Sequence, residues 1–223
     1  MAGSAGGLKT YSVKECYVTL QGEGAQTGRT AVFLRFAGCN LWSGLERDRL
    51  SAICKFCDTD FVGTDGENGG KFVGPDALAA HVRSIWAAET GLSGTPYIVC
   101  TGGEPLLQLD PPAIAAFHAA GFEVAVETNG TLPAPSELDW ICVSPKANAD
   151  LVQMQGDELK LVYPQDEAEA QPSKFEQLQF KHFFLQPKDD TATAENIAAA
   201  AAYCMKHPKW RLSLQTHKLI GLP

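Results

Sequence analysis

Three cysteines carry the most chemistry in this sequence. Cys39 ends an apolar run, and Cys54-Lys55-Phe56-Cys57 follows after fourteen intervening residues. Two cysteines two residues apart put both thiolates on one metal or cluster face, and a third from the preceding loop completes a three-thiolate set. Three thiolates on a four-iron cluster leave one iron open to chelate a ligand, which separates a reactive cluster from a structural one. The competing use is a structural zinc site, which takes four ligands. Cys100, Cys142, His81 and Cys204 are the candidates for a fourth, yet none belongs to a second pair with that spacing. Cys100 and Cys142 lie in apolar runs and read as small buried hydrophobes. Cys204 and His207 share a helical window but bring no further ligand. The spacing favours a cluster over zinc.

Such a loop needs a frame. Short apolar runs at 31–36, 97–100, 122–126, 140–143, 159–163, 183–185 and 212–214 read as buried strands. Helical patterns fall between several of them, at 75–89, 111–120 and 192–207, the last opened by Thr193 as cap and Glu195 as first-turn acid. Strands alternating with helices predict βα units and a largely parallel sheet wrapped by helices. Connections such as 133–138 are too short for a full helix, so the expected α/β fold is a partial, abbreviated barrel. The Gly/Ala/Ser-rich residues 1–10 read as a flexible start, and 11–223 as a single domain.

The composition bounds the function. A chain of 223 residues buries a sizeable core without disulfides. A formal net charge of −8 argues against non-specific binding to nucleic acid or to an anionic membrane. No stretch approaches the roughly 20 apolar residues that span a bilayer, and the first residues carry no secretory apolar run. The expected setting is cytoplasmic, where seven cysteines serve metal binding or catalysis rather than disulfides.

In a parallel sheet, ligands gather at the C-terminal strand ends. There the sequence offers Thr101-Gly102-Gly103-Glu104-Pro105, Glu127-Thr128-Asn129-Gly130-Thr131, Ser144-Pro145-Lys146 and Gln186-Pro187-Lys188-Asp189. S-adenosylmethionine presents an ammonium, a carboxylate, a ribose and an adenine. The glycine turn at 102–105 offers close backbone approach and acceptors for the ammonium. Ser144 and Lys146 suit the ribose and carboxylate, and Phe56 could cover the adenine.

The combination of Cys39, Cys54-Lys55-Phe56-Cys57, Gly102-Gly103-Glu104-Pro105 and Ser144-Pro145-Lys146 resembles the radical S-adenosylmethionine superfamily. The usual three residues between the first two cysteines are replaced here by fourteen. That expanded loop, with Leu20-Gln21-Gly22-Glu23-Gly24, the run from Arg35 to Trp42, Cys57-Asp58-Thr59 and Glu127-Thr128-Asn129-Gly130, resembles the 7-carboxy-7-deazaguanine synthase family from about Tyr11 to Pro223. The resemblance implies a (β/α)6-type barrel with the cluster-binding loop after the first core strand. It also implies conversion of 6-carboxy-5,6,7,8-tetrahydropterin to 7-carboxy-7-deazaguanine with loss of ammonia, a step toward queuosine and other 7-deazapurines. A reduced [4Fe–4S] cluster would cleave S-adenosylmethionine to a 5′-deoxyadenosyl radical, which would take a hydrogen atom from the carbon bearing the carboxylate.

Residue by residue, the resemblance implies cluster ligation by Cys39, Cys54 and Cys57, and a hydroxyl on Mg2+ from Thr59. S-adenosylmethionine contacts would come from Phe56, Cys57, Asp58, Gly103, Glu104, Glu127, Ser144, Pro145, Lys146 and 186–189 (Gln186, Pro187, Lys188, Asp189). Substrate contacts would come from Gln21, Gly22, Glu23, Arg35, Thr101, His217 and Pro223. Arg35 offers the guanidinium fork a substrate carboxylate wants, while Gln21 and Glu23 suit the pterin edge. No protein acid or base is assigned to the hydrogen abstraction. A flavodoxin-type electron donor and a homodimer are expected. The rival enzyme is one that generates a glycyl radical on a partner protein, and the non-enzymatic rival is a zinc-binding module.

Overall fold

The computed structural model describes residues 7–223. Nine strands form one sheet: β1 (Thr10–Leu20), β2 (Thr30–Phe36), β3 (Gly70–Val73), β4 (Tyr97–Gly102), β5 (Glu123–Thr128), β6 (Trp140–Val143), β7 (Gln155–Tyr163), β8 (Gln179–Pro187) and β9 (Trp210–Leu212). Their order in space is β3-β1-β2-β4-β5-β6-β7-β8-β9. From β2 onward, through β4 to β9, neighbours pair in parallel. The flank is antiparallel: β1 runs against β2, and β3 against β1.

The parallel strands lie where the apolar runs place them, with two adjustments. β7 and β8 extend well before the predicted runs, and the last strand is Trp210–Leu212 rather than 212–214. The flanking β1 and β3 have no counterpart among those runs. Helices α1 (Pro75–Thr90), α2 (Pro111–Ala119) and α3 (Thr193–Lys206) match the helical patterns, and a one-turn α4 (Thr216–Leu219) follows β9. Thr193 is not the cap of α3. Ala192 takes that place without a side-chain cap, and Thr193 begins the helix, its hydroxyl donating to Asp190 O at 2.6 Å. Among the described residues, β5–β6, β6–β7 and β7–β8 are joined without α-helices, so the barrel is abbreviated as expected. Of the start read as flexible, residues 1–6 lie outside the described residues. Lys9 pairs with Asp110 at 2.8 Å, and Thr10 opens β1.

Period-two alternation divides the sheet into two faces. Val32, Leu34, Ile98, Cys100, Val124 and Val126 face outward and pack under α1 and α2, through Leu78, Val82, Trp86, Ile114 and Phe117. Leu159, Leu161, Phe183 and Leu185 do the same beneath Ala200 of α3. The alternate positions face a cavity: Phe33 and Arg35, Thr101, Glu127, Cys142, Lys160 and Val162, and Gln186. The apolar face builds the core, and the opposite face carries the chemistry. Among the described residues, no helix is long and apolar enough to cross a membrane.

β9 does not pair with β1 or β3, and the segment after β1 spans that gap. Gly24 N donates to Ser213 Oγ at 2.8 Å, and Ala25 N donates to the Glu158 carboxylate at 2.8 Å. Gly24 has φ +65, and a Cβ there would lie 2.5 Å from the Glu158 oxygens. Only glycine meets both demands.

Candidate active site

The cavity encloses about 470 Å³, the size of a small-molecule site. Its cluster-side wall comes from the loop after β2. Trp42, Ala52 and Phe61 bury against one another, and Cys39 and Cys57 pack on them. This small core holds a loop that has no regular secondary structure apart from one 3-10 turn, Glu46–Ser51. Arg49 lies over the Trp42 ring at 4.0 Å and donates to Lys55 O at 2.8 Å and Cys57 O at 3.1 Å. The long spacing between Cys39 and Cys54 is thereby folded back on itself.

Each of the three thiols receives a backbone N–H from two residues on: Leu41 to Cys39, at 3.4 Å, Phe56 to Cys54, and Thr59 to Cys57. Cys54 donates its thiol hydrogen to Cys57, which pulls the Cys57 thiol down to about 6 and pushes Cys54 well up. Backbone donors aimed at sulfur favour thiolate, the form that ligates metal. Among the described residues, no three His, Cys, Asp or Glu side chains gather as for one ion. A cluster asks for less convergence, since each thiolate binds its own iron. The donor set fits a [4Fe–4S] cluster.

The glycine turn after β4 anchors this loop. A Cβ on Gly103 would lie 2.3 Å from Gly38 O and 2.6 Å from the Cys39 Cβ, while Glu104 N donates to Gly38 O at 3.0 Å. The close approach is therefore to the cysteine loop, whereas the sequence reading assigns it to a bound cofactor. Glu104 itself is 0% exposed. Its carboxylate accepts from Thr128 Oγ1 (2.7 Å), Asn129 N (2.8 Å) and Leu106 N (3.0 Å). Burial still raises its carboxyl above the usual range, and these donors offset part of the rise. The carboxylate joins the ends of β4 and β5, and Gly103 rather than Glu104 is among the residues lining the cavity. Asn129 continues the strut, donating to Asn40 Oδ1 at 3.0 Å.

Phe56, Cys57, Asp58, Thr59, Ser144, Lys146, Gln186, Pro187, Lys188 and Asp189 all line the cavity. Lys146 Nζ donates to Ser144 O at 2.8 Å and Oγ at 2.6 Å. Burial lowers the Lys146 ammonium, and the nearby Cys54 and Cys57 offset part of that fall. Among the described residues Gln186 Oε1 is buried with no hydrogen-bond partner, so it is an acceptor that a ligand donor could satisfy. Pro145 is buried beside Ser144.

The opposite wall is a buried polar network. Glu23 pairs with Lys160 and accepts from Gln186 Nε2 at 3.0 Å and Gln215 Nε2 at 2.9 Å. Lys160 also lies 3.4 Å from Glu127 Oε1, to which Gln21 Nε2 donates at 2.9 Å. Burial raises the Glu23 carboxyl, but Lys160 overrides this and holds it below the ordinary value. Burial lowers Lys160, and Glu127 and Glu23 raise it far more. Glu127, expected near the cofactor, thus stands among the residues expected to touch substrate. Arg35 sits beside Thr101 in the β2–β4 register, and both line the cavity.

The chain end closes this wall. Thr216 N donates to Gly22 O at 2.9 Å, and Thr19 Oγ1 donates to Pro223 O at 3.3 Å. His217 and Pro223 line the cavity, while Gly22 serves as the seat on which the tail rests. Lys218 reaches both Asp58, at 3.5 Å, and Asp189. Lys160, Gln215, Lys14 and Tyr17 are among the lining residues that lie outside the expected contact set. The alternation Glu158-Leu159-Lys160-Leu161 is the signal that could have found Lys160.

Comparison with known proteins agrees with this geometry. No family model matches the chain. The chain is 61% identical to the 7-carboxy-7-deazaguanine synthase of Caulobacter vibrioides, over 96% of this chain and 100% of that protein. It is 60% identical to that of Bordetella pertussis, over 96% of this chain and 99% of the relative. The crystal structure of QueE from Escherichia coli superposes with a TM-score of 0.67 at 23% identity, covering 92% of this chain and 93% of the other, a likeness of fold. With full-length identity at this level, the chain belongs to the 7-carboxy-7-deazaguanine synthase family of radical S-adenosylmethionine lyases.

Proposed function

We propose that this chain converts 6-carboxy-5,6,7,8-tetrahydropterin to 7-carboxy-7-deazaguanine with loss of ammonia. The observation that carries this is one cavity with a three-thiol loop on one wall and the Gln21–Glu23–Glu127–Lys160 network with Arg35 on the other. Neither a zinc module nor an enzyme acting on a protein glycine needs that second wall.

Cys39, Cys54 and Cys57 would hold the cluster. Gly103, Ser144, Lys146 and the 186–189 strand end would hold S-adenosylmethionine beside it, with Phe56 against the adenine. When bound, these groups supply one-electron hydrogen abstraction from the substrate, the chemistry that no amino-acid side chain here provides. Thr59, two residues past the last cysteine and lining the cavity, would give Mg2+ one oxygen, and water and substrate the rest.

The chain's own work is positioning. Gln21 and Glu23 present an amide and a carboxylate to the polar edge of a pterin, and Arg35 presents its guanidinium to the carboxylate. Lys160 holds the Glu23 carboxyl below its ordinary value and pairs with Glu127 at 3.4 Å. The tail from Gln215 to Pro223 covers the pocket and keeps bulk water from the reacting carbon. We carry residues 11–223 as one domain, and a cytoplasmic setting that keeps all seven cysteines as the free thiols seen here. The flavodoxin-type donor and the homodimer rest on the resemblance alone.

The test is anaerobic turnover of the iron- and sulfide-reconstituted protein with S-adenosylmethionine, reductant and Mg2+. The expected outcome is 7-carboxy-7-deazaguanine from the carboxylated pterin and little product from its decarboxylated analogue. Brown protein that leaves both pterins untouched would reject this substrate.

A further inference from the structure

β1 carries an extra residue where it passes β2. Val13 pairs with Phe36, but the next pair is Glu15 with Arg35, so Lys14 has no counterpart. An inserted residue of this kind re-aims side chains beside a site. Here it brings two consecutive residues, Lys14 and Glu15, against the cavity. Their partners differ. Lys14 Nζ reaches Asp60 and Asp65 at 2.8 Å each and Val62 O at 3.0 Å, fixing the segment that follows Thr59. Glu15 is given to Arg35.

The geometry of that pair is one-sided. Arg35 Nε donates to Glu15 Oε1 at 2.7 Å, and Nη2 reaches the Tyr17 hydroxyl at 3.5 Å. Nη1 has no hydrogen-bond partner among the described residues. The Arg35 side chain is 17% exposed, so the guanidinium is largely withdrawn from water. A guanidinium is a rigid planar fork, and tying its Nε edge fixes the plane in which the remaining donors point. A second carboxylate beside a carboxylate-reading arginine repels the incoming one. Its charge therefore costs affinity, and what it returns is orientation.

We propose that Glu15 is a positioning residue that sets the plane of the Arg35 fork and so sets the preference for a carboxylated pterin over its decarboxylated analogue. This rests on the reading of Arg35 as the contact for the substrate carboxylate. Tyr17, stacked on Phe33 with ring centroids 6.1 Å apart, holds the other edge weakly. Glu15 touches no reacting atom; it acts through Arg35.

The readout is the ratio of dissociation constants for the two pterins. It is measured anaerobically by calorimetry on the reconstituted enzyme with S-adenosylmethionine and Mg2+ but no reductant, so nothing turns over. Arg35→Ala should abolish the discrimination. Glu15→Ala should lower it about tenfold by weakening only the carboxylated ligand, because a misplaced donor fork loses its bidentate contact. Glu15→Gln should recover much of it, since the amide oxygen still accepts from Nε. Glu15→Asp keeps the charge but shortens the reach, and should lower the ratio roughly threefold; it decides the matter should Glu15→Ala not fold. If Arg35→Ala destroys the discrimination while Glu15→Ala and Glu15→Asp leave it intact, the role of Glu15 is overturned and the reading of Arg35 stands. If Arg35→Ala leaves the discrimination intact, the reading of Arg35 fails and the role of Glu15 falls with it.

Discussion

The backbone N–H and the hydroxyl of Thr216 both donate to the carbonyl oxygen of Gly22, at 2.9 and 3.0 Å. The loop after the first strand and the last helical turn are thereby one unit, although 194 residues separate them. A Cβ on Gly22 would lie 1.9 Å from His217 Nδ1 and 2.8 Å from its backbone nitrogen, so Gly22→Ala must lift the tail. We expect this variant to fold and reconstitute normally, with KM for the pterin raised about tenfold or more, because a shift near 1 Å at a site costs on that order. Steady-state kinetics beside iron analysis checks this. An unchanged KM would detach the tail from substrate binding.

The Glu23–Lys160–Glu127 network predicts a pH signature. Lys160 is 4% exposed, so Lys160→Met leaves two carboxylates without their buried counter-ion and should destabilise the protein by about 3–5 kcal/mol. Glu23 has its folded value held below the ordinary carboxylate one. Its stabilisation is therefore present above the unfolded value of about 4.3, and is lost as pH falls through the lower folded value. The difference in melting temperature between wild type and Glu23→Gln should be constant near neutrality and shrink in acid. A difference that grows on acidification would reverse the assignment.

Much of this site is legible in the amino-acid sequence. Strand ends at 101, 127, 144 and 186 do converge on one cavity, because parallel strands deliver their C-terminal ends to the same edge. What escapes has physical reasons. Lys160 is marked locally only by the alternation Glu158-Leu159-Lys160-Leu161, and its partner Glu23 is 137 residues away, a pairing no local pattern encodes. The bulge at Lys14 breaks the alternation that would mark β1, and β3 has only four residues. The motif names Glu104 but not the bonds by which its buried carboxylate ties β4 to Thr128 and Asn129. A motif gives position, while burial decides which atom of it is available.

Cys39, Cys54 and Cys57 should prove individually indispensable. Replacing any one by Ala should remove the absorbance and most of the iron of the reconstituted protein. Cys16 and Cys100 are fully buried among apolar side chains, and Cys204 belongs to α3 and packs against the core, so their Ala variants should keep iron near wild type. A Cys57→Ala protein with a full complement of iron would remove the cluster assignment.

Thr59 has a narrower role. Thr59→Ala should leave cluster content unchanged but weaken the dependence of turnover on Mg2+, since only one protein oxygen is lost from the shell. Titrating Mg2+ against initial rate in both proteins measures this; coincident curves would take Thr59 off the metal.

The most direct test follows one hydrogen. The carboxylated tetrahydropterin is labelled with deuterium at the carbon bearing the carboxylate and turned over anaerobically with reductant. Mass spectrometry then follows the label in S-adenosylmethionine, 5′-deoxyadenosine and the deazaguanine product. We predict that deuterium leaves that carbon, appears in the adenosyl group or is returned to product, and that label placed elsewhere on the pterin does not move. Product formed with no deuterium in either adenosyl species or returned to product, or a pterin left intact, would contradict the assignment of this cavity as a site of hydrogen abstraction from the carboxylated pterin.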